Sequence, residues 1–169
     1  VADATALVGM RVEDKHLFII RVWERRETDP QDWAPDPVEV DAVVRETFND
    51  YNVVGFYADP SGWTGQVAHW EAEYGRRLRV KATRVEPIAA WPRGKTTQVA
   101  EHVEKLRQAI VLNEITGDGS STLMRHMLNA RRRNTRSGGY LLYKQFPDSA
   151  DKIDAAYAAV MAYKACLDV

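Results

Sequence analysis

The first half of the chain contains the stretch Val53-Val54-Gly55-Phe56-Tyr57-Ala58-Asp59-Pro60. Residues 53–58 are nearly all apolar, which is typical of a strand that is buried on both faces. Proline cannot continue a hydrogen-bonded ladder, so this strand is predicted to end at Asp59-Pro60. Helical patterns lie on either side along the chain, with a start signal at Asp36-Pro37-Val38-Glu39 and an apolar face over residues 63–74. A buried strand between helices indicates an α/β fold.

Further strands and helices extend this pattern over the whole chain. Residues 5–12 and 16–23 are predicted to be antiparallel strands, because only a short polar turn joins them. Additional strands are predicted at residues 78–85 and 140–146, and additional helices at 97–111, 120–131 and 151–167. No repeat, low-complexity tract or long linker divides the sequence. We therefore predict one α/β domain over residues 1–169, with a mixed β-sheet flanked by helices.

Composition excludes several classes of protein. Hydrophobic residues make up 45% and charged residues 28%, which is the balance of a folded domain. No apolar run approaches the ~20 residues that cross a bilayer, so no membrane partner is expected. The single cysteine, Cys166, excludes an internal disulfide framework and a cysteine-based zinc cluster, and it favours a reducing compartment. The chain starts without Met or a signal peptide and almost directly enters a strand, which is typical of a piece of a longer protein.

Two acidic residues stand where α/β enzymes place their chemistry. Asp59 follows the buried strand directly, although Asp-Pro is also an ordinary turn signal. Asp154 is expected one turn inside the last helix, where a buried acid needs a partner such as a cation. The alternative interpretation is that Asp154 only complements the helix dipole. Converging carboxylates suit Mg²⁺ or Mn²⁺, and two such ions can catalyse phosphodiester cleavage. Two acids are few for two ions, so a third is expected.

Two basic segments, residues 76–84 and 125–136, contain no acid. The first is predicted to lie on the outer face of a half-exposed strand. The second spans the end of the helix predicted at 120–131 and the loop after it, which Gly138-Gly139 would let move onto a duplex. Each segment is either an ordinary solvated face or a surface that binds the phosphate backbone of DNA. The net charge of the whole chain is only −1, so such binding would depend on this local clustering. The candidate DNA-binding residues are Arg77, Arg79, Lys81, Arg131, Arg132, Arg133 and Arg136.

His126 is predicted either to orient a phosphate or carboxylate, or to be a partly buried histidine that hydrogen-bonds a neighbour. The sequence contains no Gly-x-Ser-x-Gly that would pair it with a nucleophile. It also contains no Gly-x-x-x-x-Gly-Lys-Ser/Thr, so the chain has no P-loop of its own.

Four motifs together resemble a known family. They are Asp3-Ala4-Thr5-Ala6-Leu7-Val8, Ala58-Asp59-Pro60-x-x-Trp63, Leu123-x-x-His126-x-x-Asn129-Ala130 and Lys152-Ile153-Asp154-Ala155-Ala156. In order and spacing they resemble, over nearly the whole chain, the C-terminal nuclease domain of a tailed-phage terminase large subunit, of the type common in phages of actinobacteria. The last two motifs are the most specific.

The resemblance implies a ribonuclease H-like fold and a metal-dependent endonuclease that cuts concatemeric viral DNA during packaging. It implies that Asp59 and Asp154 are the second and third acids of a site for two Mg²⁺ or Mn²⁺ ions, with His126 and Lys152 behind them. The implied partners are double-stranded DNA, an upstream ATPase domain, the portal and the small terminase subunit. The implied location is the host cytoplasm, without secretion.

The sequence departs from the family at its front. The family's first acid lies on a strand just upstream, in a Gly-x-Asp-Gly-Ser-like stretch that the 169 residues do not contain, and Asp3 is only a tentative substitute. The chain alone is therefore expected to be catalytically incomplete. Two other interpretations stay open, namely a non-catalytic DNA-binding or assembly module of the same fold, and a resolvase-like nuclease.

Overall fold

The fold was analysed in a computed structural model that describes residues 3–90 and 96–169. Residues 1–2, with which the predicted domain begins, and 91–95 lie outside the described residues. The strands are β1 (Thr5–Arg11), β2 (His16–Trp23), β3 (Thr116–Gly117), β4 (Arg131–Asn134) and β5 (Tyr140–Tyr143). The helices are α1 (Pro37–Asp50), α2 (Thr64–Tyr74), α3 (Thr96–Val111), α4 (Ser121–Asn129) and α5 (Asp154–Asp168).

The main sheet has the strand order β1-β2-β3. The predicted antiparallel pairing of β1 with β2 is confirmed, with a register shift between Leu7 and Val8, and β2 pairs with β3 in parallel. Strands β4 and β5 form a separate antiparallel hairpin. The sheet is therefore mixed, and the predicted α/β architecture is confirmed.

Side chains alternate along β1 and β2, and this alternation places a helical layer on each face of the sheet. Val8 and Leu17 belong to a cluster with buried residues of α3, α4 and α5, whereas Leu7 and Trp23 belong to one with α1 and α2. Alanines make α5 narrow enough to approach β1 closely, and Ala155 and Ala159 are fully buried. The start of α1 is as predicted, because Asp36 accepts a hydrogen bond from the Val38 N–H (2.9 Å) and Pro37 is the first helical residue.

The prediction of strands at residues 53–58 and 78–85 is wrong, because neither region forms a hydrogen-bonded ladder with a neighbouring strand among the described residues. The two regions meet where the N–H groups of Arg79 and Val80 donate to the Val54 carbonyl oxygen, and one parallel bridge joins Ala58 to Ala89 further along the chain.

Residues 82–87 fold back on themselves instead, because the N–H groups of Ala82 and Thr83 donate to the carbonyl oxygens of Pro87 (2.9 Å) and Glu86 (3.0 Å). Just beyond this turn, the Glu71 carboxylate accepts hydrogen bonds from the N–H groups of Ile88 (2.9 Å) and Ala89 (3.0 Å). A side chain of α2 thus takes donors that a ladder would use.

Candidate active site

Helix α5 begins at Asp154 itself, which corrects the prediction that the helix starts at Asp151 with Asp154 one turn inside. Residues before it form a local turn in which the Asp151 N–H donates to the Ser149 hydroxyl oxygen (3.1 Å). An acid in the first turn complements the helix dipole, as the simpler interpretation required. The dipole does not satisfy the whole carboxylate, however, because Asp154 Oδ2 is buried and has no hydrogen-bond partner among the described residues.

Asp3 is the charged neighbour of Asp154. Burial raises the pKa of Asp154, and the negative charge of Asp3 raises it further, while the positive charge of Lys144 acts in the opposite direction. Asp3 itself is exposed and forms an ion pair with Lys144. The structure thus brings together the tentative candidate, Asp3, and one of the two main candidates.

Asp59 lies immediately after Ala58, at the end of residues 53–58. Its Oδ1 accepts a hydrogen bond from the Ser61 N–H (2.9 Å), which is the turn geometry that Asp-Pro sequences favour. Asp3, Asp59 and Asp154 all line the same cavity, whose volume is about 1680 Å³. That Asp59 and Asp154 approach within metal-bridging distance stays a prediction. Over residues 3–90 and 96–169, no three His, Cys, Asp or Glu side chains are grouped so as to hold a metal ion.

A buried network fixes the start of α5 from the other side. His126 is fully buried; its Nδ1 accepts the Ala155 N–H (3.0 Å), and its Nε2 lies 2.6 Å from Glu24 Oε1. Because Nδ1 accepts, Nε2 carries the hydrogen and donates to Glu24. Of the two predicted alternatives for His126, the structure shows the buried histidine that hydrogen-bonds its neighbours, although it is fully and not partly buried. That His126 orients a phosphate or carboxylate for catalysis stays a prediction.

Glu24, at the end of β2, is the residue of this network that sequence reasoning missed. Arg125 donates to its two oxygens at 3.1 and 2.7 Å. Burial alone would raise the pKa of Glu24, but the hydrogen bonds from Arg125 and His126 outweigh it and hold this pKa below its usual value. No local motif marks Glu24, because its partners are about 100 residues away in the chain.

Lys152 is buried close to the same acids. Burial lowers the pKa of its ammonium group, as does the positive charge of Lys144, whereas Asp3 and Asp154 act to raise it. Its carbonyl oxygen accepts a hydrogen bond from the Asn129 side chain (3.0 Å), which ties α4 to the residues just before α5. That Lys152 supports the acids of the site stays a prediction.

Helix α4 ends at Asn129, and Arg131, Arg132 and Arg133 form strand β4. This corrects the prediction of a helix up to Arg131 with a loop after it. Pairing with β5 and ring contacts account for the strand, since Arg132 lies over Tyr140 (5.2 Å) and Arg133 over Tyr143 (4.3 Å). All three arginines are exposed. Arg136 is exposed in the turn of the same hairpin, before Gly138 and Gly139, which both have positive φ angles.

The first basic segment, residues 76–84, does not form a strand with a basic outer face. Arg77 lies over the rings of Phe48 (5.4 Å) and Tyr74 (5.9 Å) and donates to the Phe48 carbonyl oxygen (3.3 Å). It therefore joins the end of α1 to the end of α2. Arg79 and Lys81 are exposed, but they do not share the face of a strand, because the predicted strand at 78–85 does not form.

Comparison with known proteins shows which sequences and folds this chain is similar to. The chain matches no family model. It is 39% identical over 168 residues to the Gene 13 proteins of Mycobacterium phages D29 and L5, covering 98% of this chain but 27% and 28% of those proteins. The chain thus spans less than a third of the length of these relatives.

Among solved structures, the large terminase nuclease from thermophilic phage G20c superposes with a TM-score of 0.59 at 13% identity, covering 96% of this chain and 82% of that one. The same nuclease with bound magnesium gives 0.59, and the large terminase nuclease domain of Thermus phage P74-26 gives 0.55 at 11% identity, covering 95% and 78% of the two chains. The fold is therefore that of the large terminase nuclease domain, which confirms the predicted ribonuclease H-like class.

Proposed function

We propose that this chain is the nuclease domain of a viral genome-packaging terminase, and that it cuts concatemeric double-stranded DNA by metal-dependent phosphodiester hydrolysis. The observation that carries the proposal is the buried oxygen of Asp154, which has no hydrogen-bond partner among the described residues and lies beside Asp3 in a cavity that Asp59 also lines. A buried carboxylate oxygen without a donor is costly unless a cation satisfies it.

The donor set fits a hard divalent cation, although it is incomplete. Carboxylate oxygens are the ligands that Mg²⁺ and Mn²⁺ prefer, and solved nucleases of this fold contain magnesium or cobalt. Asp154, Asp59 and, tentatively, Asp3 would hold the ions, and a further acid from outside the 169 residues completes the proposed set. Two bound ions supply an activated water and charge stabilisation at the leaving oxygen.

The protein's own groups then hold the ligands and the substrate. His126 and Glu24 fix the first turn of α5, and with it Asp154. Lys144 and Lys152 place positive charge near the acids. The exposed arginines of β4, together with Arg136, contact the phosphate backbone in the proposed complex, and Arg79 and Lys81 are secondary contacts.

The larger protein supplies the remaining parts of this proposal. Its other segments hold the ATPase domain, its partners are the portal and the small terminase subunit, and it acts in the host cytoplasm. No helix among the described residues has the length and apolar character needed to span a bilayer.

A second candidate is a non-catalytic DNA-binding or assembly module of the same fold. One observation favours it, namely that the described residues contain no group of three potential metal ligands. A plasmid-nicking assay with Mn²⁺ distinguishes the two candidates, because only the nuclease converts supercoiled DNA to nicked and linear forms.

The assay is best done in the full-length protein with Asp59→Asn and Asp154→Asn, which keep side-chain shape but remove ligand charge. We expect both variants to lose cleavage and to bind DNA at least as tightly as before, because negative charge near phosphate is removed. Asp50→Asn, an exposed aspartate at the end of α1, is the matched control and should cut normally. Binding without cleavage by the unaltered protein would support the non-catalytic module instead.

A further inference from the structure

Lys144 follows the last strand of the β4–β5 hairpin and lies beside the candidate acids. We propose that its ammonium group has two successive partners: it neutralises Asp3 in the metal-free protein, and it passes to a phosphate of the DNA when a divalent cation is bound to the acids. Lys144 is then a substrate-binding residue whose contact depends on the metal. This inference rests on the proposed nuclease function and adds to it a coupling between the cation and the DNA.

The position of Lys144 is unusual for a lysine. Its side chain is only 12% exposed, whereas lysine side chains are mostly exposed in folded proteins. The ammonium group forms an ion pair with Asp3, and both residues line the cavity that Asp59 and Asp154 also line. The side chain of Asp3 is 65% exposed, so the ion pair lies where the cavity reaches solvent.

The charge of Lys144 also affects Asp154 and Lys152. Burial is the main cause of the shifted pKa values of these two residues, but the positive charge of Lys144 acts to lower both values. The ammonium group of Lys144 therefore lies close to both side chains. Asp3, Asp154, Lys144 and Lys152 thus form one cluster of two anions and two cations, which is neutral when all four are ionised.

This charge balance changes when a divalent cation is bound to Asp3 and Asp154. The cluster then has two excess positive charges, and one further acid, as proposed above, still leaves an excess. Like charges repel strongly in a partly buried site, so Lys144 is driven away from the acids. The lysine is also an incomplete counter-ion, because Asp154 Oδ2 is buried without a hydrogen-bond partner among the described residues. An anion restores neutrality, and the DNA phosphate is the anion that the proposed substrate supplies.

The β4–β5 hairpin brings the phosphate backbone within reach of Lys144. The Arg133 guanidinium lies over the ring of Tyr143 (4.3 Å), the residue before Lys144, and Arg133 lines the same cavity. Arg133 is exposed and is one of the proposed contacts to the phosphate backbone. A DNA strand that contacts Arg133 therefore passes close to Lys144. Lys152 is buried, so Lys144 is the lysine of this cluster that reaches the substrate.

Calorimetric titration of the full-length protein with Mn²⁺, in the absence of DNA, tests the first partner. Lys144→Gln keeps a polar side chain but removes the charge. We expect it to bind Mn²⁺ about tenfold more tightly than the unaltered protein, because no ammonium group competes for the acids. Lys144→Arg keeps the competing charge and should bind Mn²⁺ as the unaltered protein does. The matched control is Lys105→Gln on α3, which removes an exposed lysine that pairs with Glu101 and does not line the cavity.

Fluorescence anisotropy with a short DNA duplex tests the second partner, on samples that a gel shows to be uncut. With Mn²⁺ present, Lys144→Gln should flatten the slope of log affinity against log salt concentration by about 0.9, the value for one lost phosphate contact. Without Mn²⁺ the slope should not change, because Lys144 is then paired with Asp3. Lys144→Arg should keep the slope of the unaltered protein under both conditions.

The two measurements together separate this exchange from an ordinary structural ion pair. Loss of a structural pair would weaken the binding of Mn²⁺ and DNA together or leave both unchanged. Unchanged or weaker Mn²⁺ binding by Lys144→Gln, or a change of slope that does not depend on Mn²⁺, would overturn the proposal. If the unaltered protein nevertheless cleaves DNA, only the exchange at Lys144 is wrong. If the unaltered protein neither binds Mn²⁺ nor cleaves DNA, the proposed nuclease function is wrong as well.

Discussion

At the scale of single residues, His126 shows how a remote contact positions a candidate ligand. Its two ring nitrogens join Glu24, at the end of β2, to the Ala155 N–H, which follows Asp154 directly. Helix α5 has no side-chain N-cap of its own, because its N-cap residue is Ile153. The histidine therefore accepts a hydrogen bond from a backbone N–H of the first turn, a role that a capping side chain would otherwise have.

We expect His126→Ala to lower the free energy of unfolding by about 3 kcal/mol, because it leaves a cavity and an unsatisfied buried N–H. His126→Gln should restore part of this loss, since an amide can accept from Ala155 and donate to Glu24. Urea unfolding of the full-length protein measures both changes. Equal stabilities for the Ala and Gln variants would mean that the hydrogen bonds of His126 contribute little.

Sequence reasoning proposed Asp59, Asp154 and His126 as site residues, but it did not predict their surroundings. Element-end placement and motif spacing are local signals, and on them Asp59 and Asp154 are candidates. The Glu24 contact and the position of Asp3 beside Asp154 depend on how distant segments pack. No pattern within a short window of sequence encodes such contacts.

At the scale of the elements, Tyr157 fastens α5 to β5. Its hydroxyl donates to the Leu142 carbonyl oxygen (2.6 Å) and accepts from the Leu142 N–H (3.0 Å). Burial raises the pKa of Tyr157 to about 12. An unfolded tyrosine has a pKa of about 10, so the folded state holds this proton more tightly than the unfolded state does.

Tyr157→Phe should therefore cost about 1–2 kcal/mol of stability below pH 10, because the variant cannot form either hydrogen bond. Between pH 10 and about 12 the unfolded form of the unaltered protein loses this proton first, so its stability falls with pH. The phenylalanine variant has no such proton to lose, and the stability difference between the two proteins should shrink across this range. Urea unfolding at several pH values checks this; a constant difference would contradict the raised pKa.

The β4–β5 hairpin makes a prediction about salt. Replacing Arg131, Arg132 and Arg133 by alanine should flatten the slope of log affinity for DNA against log salt concentration by about 0.9 for each phosphate that an arginine no longer neutralises. Sequence preference should not change, because phosphate contacts carry no base information. The matched control replaces the same three residues by lysine, which keeps the charge and should keep the slope. An unchanged slope in the alanine variant would show that the strand is only a solvated face.

The elements that the sequence predicted well are those with internal signals. The Asp36-Pro37 start of α1 and the short turn between β1 and β2 belong to this group. The failures depend on partners elsewhere in the chain. Both Arg79 and Val80 donate to one carbonyl oxygen, that of Val54, and β4 needs Tyr140 and Tyr143 on β5 to be a strand rather than a loop. Local propensity does not report a competing acceptor or a stacking ring.

At the scale of the whole molecule, metal binding should depend on more than these 169 residues. Asp3 and Asp154 are neighbours and Asp59 lines the same cavity, yet the described residues contain no group of three potential ligands. Two hard cations need more carboxylate oxygens than one close pair offers.

We therefore expect the full-length protein to bind Mn²⁺ tightly and the 169-residue chain alone to bind it weakly and to cleave poorly. Calorimetric titration of both proteins measures the affinity and the number of ions, and Asp154→Asn in the full-length protein should remove the tight binding. Equal affinity and cleavage in the two proteins would mean that Asp3 completes the site without help.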